Sequence, residues 1–223
     1  MKNLPFDIQW PCEISDELKQ KLLDTAIVLN ALPDRTHNKV GGVFYIAQGM
    51  LSVSFSSENT NTMNANLIGK NSWMGASMMS SDISHSAVVD ELLPLSLVYF
   101  PKDKIDKLAQ SDFEVYKWLY FSSLETQKDW LQAQICSLYD KQSRVIFSLL
   151  EISRHLPSVQ GSIIKIDISQ RQLSQISGIS RPRLNEVLKY LEQQGEIGLE
   201  RGSIHLLEPD SLNLRLKSIK DHS

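Results

Sequence analysis

Arg181, Arg183, Asn185 and Glu186 lie close together in the run SRPRLNEVLKYL, residues 180–191. A guanidinium presents paired donors that match guanine, a carboxamide matches the edge of adenine, and a carboxylate accepts from the cytosine amino group. Lys189 adds a point charge suited to phosphate. At about 100° per residue, Leu184, Val187, Leu188 and Leu191 share one face of a helix. Pro182, Glu186 and Lys189 then point the opposite way, with Arg181, Arg183, Asn185 and Tyr190 on the flanks. Any one of these polar side chains also fits an ordinary solvated helix face. Gathered at one helix start, they form a surface able to read a duplex.

Such a surface needs elements that hold it out. Leu173 and Ile176 have the spacing of a short helix before it, and Ser174 is a small residue where a second helix would cross closely. Gly178 falls in the turn, where a left-handed backbone is cheap for glycine. Ser180 is placed to cap the second helix, and Pro182 sits in its first turn, where a missing N–H costs nothing. A small residue, glycine four positions on and an aliphatic six beyond that is helix-turn-helix spacing. An ordinary helical hairpin is the bland alternative. Downstream, the apolar runs at 197–199 and 204–207 flank Glu200-Arg201-Gly202-Ser203, the pattern of a β-hairpin wing. Upstream, Ile164, Ile166 and Ile168 alternate as in a strand.

The run ISQRQLSQISGISRPRLNEVLKYLEQQGEI, residues 168–197, with RGSIHLLEPDSL at 201–212, resembles the CRP/FNR family of bacterial transcription regulators. VFYIAQGMLSV, residues 43–53, is similar to the hairpin of that family's N-terminal β-roll. The resemblance implies base-edge contacts from Arg181, Arg183, Asn185 and Glu186. It implies phosphate contacts from Ser169, Gln170, Ser180 and Lys189, with Arg171 and Arg201 adding local positive charge. Ser169 and Ser180 also read as simple helix caps. Pro182 stands where the family usually has Glu, and Glu186 where it usually has Arg; Arg181 matches. The family's TGTGA-type half-site is therefore not carried over. The partners implied are a double-stranded DNA operator, a second copy of the chain and RNA polymerase.

Composition sets bounds on the rest. With 223 residues, 42% hydrophobic and 22% charged, the chain reads as a soluble globular protein of two modest domains. No apolar run approaches the roughly 20 residues that span a bilayer, and MKNLPFDIQWPCEIS lacks the core of a signal peptide. Cys12 and Cys136 make no disulfide framework or zinc spacing. A cytoplasmic location is expected. Net charge is −3, but residues 138–223 carry 12 basic against 10 acidic side chains, so the C-terminal part is slightly positive.

The expected architecture is α+β: a jelly-roll-like β-roll over 1–110, a long dimerisation helix over 111–139 and a winged helix-turn-helix over 140–223. Residues 15–30 read as an opening helix. Val43–Ala47 and Met50–Phe55 flank Gln48-Gly49 as a hairpin would, and Ala65–Ile68, Ser86–Val89 and Leu95–Phe100 read as further strands. Lys102–Gln110 reads as a helix. Residues 113–140 hold neither Gly nor Pro and carry two apolar stripes. One contains Phe121, Leu124, Leu131, Ile135 and Leu138; the other contains Val115, Trp118 and Leu119. A helix of roughly 28 residues would be about 42 Å long, so one stripe is expected on the roll and the other on a partner chain.

In cyclic-AMP-binding members of the family, a Gly-Glu pair holds the ribose and an Arg-Ser pair the phosphate. The stretch similar to that segment, WMGASMMSSDISHSAV at 73–88, has Gly75-Ala76 and His85-Ser86 instead. Ala76 cannot accept from a ribose hydroxyl, and a histidine offers no two-pronged guanidinium. Cyclic AMP binding is therefore not expected. Trp73, Gly75, Ala76, His85 and Ser86 line the candidate effector pocket, whose ligand is unknown; Trp73 and the neighbouring methionines fit roll core as well. Neither catalytic nor metal residues are assigned, and no cofactor is expected. A cupin-like enzyme would need clustered His and carboxylates, whereas His37 and His85 are isolated. A dimeric protein-interaction module is the other alternative, and it predicts DNA affinity that barely responds to salt.

Overall fold

The computed structural model describes residues 6–32, 41–55, 65–79, 87–156 and 163–220. It divides into two compact units: residues 1–51, 68–85 and 90–130 form one, and 52–67, 86–89 and 131–223 the other.

The first unit opens with α1 (Asp16–Thr25). The Ser15 hydroxyl accepts the Leu18 N–H at its start, and Leu18 and Leu22 point inward. The helix is shorter than the 15–30 span expected. Ile27–Leu29 leaves it as strand β1, because the β-branched Ile27 and Val28 pair antiparallel with Tyr99 and Val98 instead of continuing the helix. β2 (Gly42–Phe55) is one uninterrupted strand, so the hairpin expected at Gln48-Gly49 does not form. Gly49 has φ +88°, and a Cβ there would lie 2.2 Å from the Pro94 carbonyl oxygen. Its glycine serves a close approach of backbone to backbone within the sheet.

β3 (Ala65–Gly69) and the two-residue β4 (Trp73–Met74) follow, then a single 3₁₀ turn at Ala76–Met78. β5 (Ala87–Pro101) joins into one strand what the sequence suggests are two. The sheet order is β1-β5-β2-β3, with β4 added on β2 through Phe44–Met74 and Tyr45–Trp73. α2 (Lys102–Ala109) and the long α3 (Glu114–Ser137) complete the helices of this part of the chain.

Aromatic rings fill the core of this unit. Trp73 and Trp118 meet edge to face at 5.6 Å, Phe100 lies 5.4 Å from Trp118, and Trp10 leans on all three. The N-terminal segment is fixed there by polar contacts: the Gln9 N–H donates to the Tyr45 hydroxyl, and Trp73 Nε1 donates to the Gln9 carbonyl. Glu114, at the start of α3, accepts the Ser15 N–H and hydroxyl, and these bonds hold its carboxyl below the usual carboxylate range. The two stripes of α3 separate as their spacing suggests. Val115 and Trp118 are fully buried in the aromatic core, while Leu131 is 61% and Ile135 46% exposed; Leu138, expected in the outer stripe, falls just past the helix end.

The second unit contains α4 (Lys141–Arg154), β6 (Ile164–Ile166), α5 (Gln170–Ser177), α6 (Arg181–Gln193), β7 (Ile197–Glu200), β8 (Ser203–Leu206) and α7 (Pro209–Lys220). Asp140 caps α4. Burial pushes its carboxyl up, but bonds from the Ser143 hydroxyl and the Ser143 and Gln142 N–H groups outweigh that and hold it low. α4 packs against α5, α6 and α7, and the strands run in the order β6-β8-β7. Leu149, Leu173, Leu184, Leu188, Leu191, Leu206 and Leu212 are all fully buried. Helix α7 has no counterpart among the sequence expectations, although Pro209 at its start and Asp210 in its first turn are helix-opening signals.

Candidate nucleic-acid interface

The turn between α5 and α6 is built by three interactions. Gly178 takes φ +63° and ψ +32°, and its N–H closes α5 onto Gln175 and Ser174. The Ser174 hydroxyl donates to the Ile179 carbonyl at 2.5 Å across the turn. From α4, Arg144 donates to the Gly178 carbonyl at 3.0 Å. The sequence places Arg144 only at the start of an amphipathic helix; what it holds, 34 residues away, becomes visible only in the fold. At the other end of α5, Ser169 and Gln172 form a reciprocal capping box.

Ser180 is the N-cap of α6 by backbone conformation, yet its hydroxyl makes no capping bond. The expected side-chain cap is absent, and the exposed hydroxyl stands at the positive end of the helix. Leu184, Leu188 and Leu191 anchor α6 beneath, and Val187 is half-buried beside them. Arg181, Pro182, Arg183, Asn185, Glu186 and Lys189 are all exposed, as their angular positions require. Arg183 and Glu186 pair at 3.0 Å, one helical turn apart. Gln170 and Arg171 are exposed on the first turn of α5.

The wing is a tight hairpin with Glu200 opposite Ser203 and exposed Arg201 and Gly202 at its tip. Gly202 has φ +85°, which the turn requires. Leu199 N–H donates to Glu192 Oε1 at 3.3 Å, tying the wing to the last turn of α6. Glu196 is 4% exposed at the bend between α6 and β7. Its Oε1 accepts from the Ser211 hydroxyl and from Arg215 Nε, both at 2.8 Å, and Arg215 also lies over the Tyr190 ring. A carboxylate in this hydrophobic bend gave no signal in the sequence, because both side-chain partners come from α7.

The candidate effector residues divide. Trp73 is core, 2% exposed and ringed by aromatics. Gly75 has φ +95°, and a Cβ on it would come within 2.3 Å of the Gly42 carbonyl oxygen. Ala76 begins the 3₁₀ turn and lines a cavity of about 660 Å³ with Ser77, Met79, Asp106, Gln110 and Tyr120. Among the described residues, those lining that cavity include no Lys, Arg or His. His85 and Ser86 lie outside the described residues. Among the described residues, no three His, Cys, Asp or Glu side chains converge, and no helix is long and apolar enough to cross a membrane.

Residues 143–215 match the Crp-like helix-turn-helix domain. Among solved structures, a transcriptional regulator of the Crp/Fnr family from Eubacterium rectale superposes with a TM-score of 0.69 at 17% identity, covering 92% of this chain and 95% of its own. The c-di-GMP-responsive global regulator CLP of Xanthomonas campestris gives 0.67 at 16% identity, with 86% and 99% covered. FixK2 from Bradyrhizobium japonicum gives 0.63 at 19%, with 84% and 96% covered. Comparison with curated protein sequences found no match. The chain thus carries a Crp-like helix-turn-helix domain on the fold of the CRP/FNR transcriptional regulators.

Proposed function

We propose that this protein is a homodimeric, sequence-specific DNA-binding regulator of transcription that does not respond to cyclic AMP. The observation that carries this reading is the start of α6. Two arginines, an asparagine and a glutamate stand exposed on a helix whose turn is fixed by Gly178, Ser174 and Arg144. In this reading Arg181, Arg183, Asn185 and Glu186 meet base edges in the major groove. Ser180, Lys189, Gln170, Arg171 and Arg201 meet phosphates. The Ser169 hydroxyl is engaged in its capping box, so its share in phosphate contact is the smallest.

A second copy pairs through the outward stripe of α3, where Phe121, Leu131 and Ile135 stand exposed. Two helix-turn-helix units would then address half-sites about one helical turn apart, and RNA polymerase is the partner through which binding changes transcription. Ala76, which cannot accept from a ribose hydroxyl, and a neighbouring cavity with no basic side chain among its described lining residues support the lack of cyclic AMP response. No catalytic residue is assigned. Selection of bound duplexes from a random pool tests the reading directly. A two-fold-related consensus, bound with steep salt dependence, is the expected result. Enrichment of no sequence would overturn it.

A further inference from the structure

The cavity beside Ala76 lies apart from the DNA-reading surface, and its lining has a chemistry of its own. It opens between the 3₁₀ turn at Ala76–Met78, α2 and α3, all within the first unit. Its volume of about 660 Å³ falls in the range that encloses small organic ligands. Met79, Ile105, Ala109 and Leu119 give it an apolar wall, and the first three of these are buried. A ligand held there gains by covering that wall with an apolar body of its own.

The exposed part of the lining is different. It includes Asp106 and Gln110 at the end of α2, with Tyr116 and Tyr120 one turn apart on α3. Among the described residues, Asp106 is the one charged group in the lining. A carboxylate draws a cation directly, a tyrosine ring draws one through its negative face, and the Gln110 carbonyl can accept from its N–H. An anion meets only repulsion from the same set. Asp106 Oδ2 is already 2.9 Å from Lys102 Nζ on α2, but both side chains are about half exposed, at 51% and 44%. Such a pair holds weakly, and the carboxylate has a second oxygen to offer.

We propose that this cavity is a binding site for an organic ammonium, a primary amine on a small apolar body. The ammonium sits at Asp106 beside the two tyrosines, and the body lies on Met79, Ile105, Ala109 and Leu119. At about 100° per residue, the cavity-lining positions of α3 stand roughly a third of a turn from Phe121, Leu131 and Ile135. Pairing through that outer stripe therefore does not require the cavity face. The site is independent of the DNA-binding reading, and failure to bind any duplex leaves it untouched.

The test is isothermal calorimetry of the full chain with three probes that share a phenyl ring and a two-carbon arm: phenethylammonium, phenethyl alcohol and hydrocinnamate. Phenethylammonium is expected to give saturable heat, the alcohol to bind about tenfold more weakly, and the anion to give none. Asp106→Asn should bring the ammonium down to the level of the alcohol while leaving the alcohol unchanged, which a general loss of structure would not do. Lys102→Met removes the competing cation and should tighten the ammonium alone. Tyr120→Ala should weaken the ammonium a few-fold, with Tyr120→Phe keeping wild-type affinity because its ring remains. Equal affinity for the three probes overturns the proposal, as does an Asp106→Asn chain that still prefers the ammonium. So does the absence of saturable heat from phenethylammonium at millimolar concentration.

Discussion

Arg183 and Glu186 illustrate why proximity at a protein surface does not settle a role. Their ion pair is exposed on both sides, at 56% and 63%. Such a pair contributes only a few tenths of a kcal/mol, so either partner can exchange it for a base edge at little cost. Arg181 lies one position beyond the N-cap, where the helix end favours anions, and Pro182 beside it has neither charge nor N–H to compete. Replacing Arg181 with alanine is expected to cost about 1–3 kcal/mol in operator binding and to relax preference at a single base pair. Gel shifts across operators altered one position at a time check this. Unchanged affinity would remove Arg181 from the reading surface.

At the scale of the element, the helix-turn-helix depends on one backbone conformation. Gly178 sits in the left-handed region, where a Cβ meets the following carbonyl at roughly 1–2 kcal/mol. Gly178→Ala should therefore lower the stability of the second unit by about that amount, with Gly178→Asn costing less because its side chain tolerates the region. Urea unfolding followed by far-UV circular dichroism reads this out, and a midpoint unchanged in both variants would argue against the turn. Beneath α6, fully buried Leu188 offers a comparison of another kind. Its replacement by alanine removes packing and should cost about 2–5 kcal/mol. Helix α7 acts on the same element from outside, since Ser211 and Arg215 hold Glu196 where α6 ends and the wing begins.

For the whole molecule, the proposed pairing of two chains turns on the long helix. Its inward stripe is used up in the aromatic core, while the outward one leaves Phe121, Leu131 and Ile135 to solvent. Leu131 is mostly exposed, so Leu131→Glu disturbs little packing among the described residues, yet it places a charge in the proposed seam. The variant is expected to sediment as a folded monomer and to bind the operator at least about tenfold more weakly, because two half-sites are no longer engaged together. Retention of the wild-type mass would move the interface elsewhere. For the sensor, isothermal calorimetry with cyclic AMP should show no saturable heat at micromolar concentrations. Losing a carboxylate and a guanidinium contact removes roughly 1.5–3 kcal/mol each. Micromolar affinity would contradict the loss of response assigned to Ala76.

What the sequence determined by itself was local. Gly178, the polar start of α6 and the four-residue tip from Glu200 to Ser203 announce helix, turn and wing because each feature follows from residues a few positions apart. The two stripes of α3 were legible for the same reason, since the period of a helix is fixed. Tertiary structure decided whatever depends on approach between distant segments. Gly49 looked like a hairpin turn, and became mid-strand only because the Pro94 carbonyl comes within reach of it. Ile27 and Val28 left the helical pattern for a partner some seventy residues on. Arg144 and Glu196 gain their meaning from neighbours that the fold supplies. Spacing along a chain encodes which face a side chain occupies, but only packing chooses what that face meets.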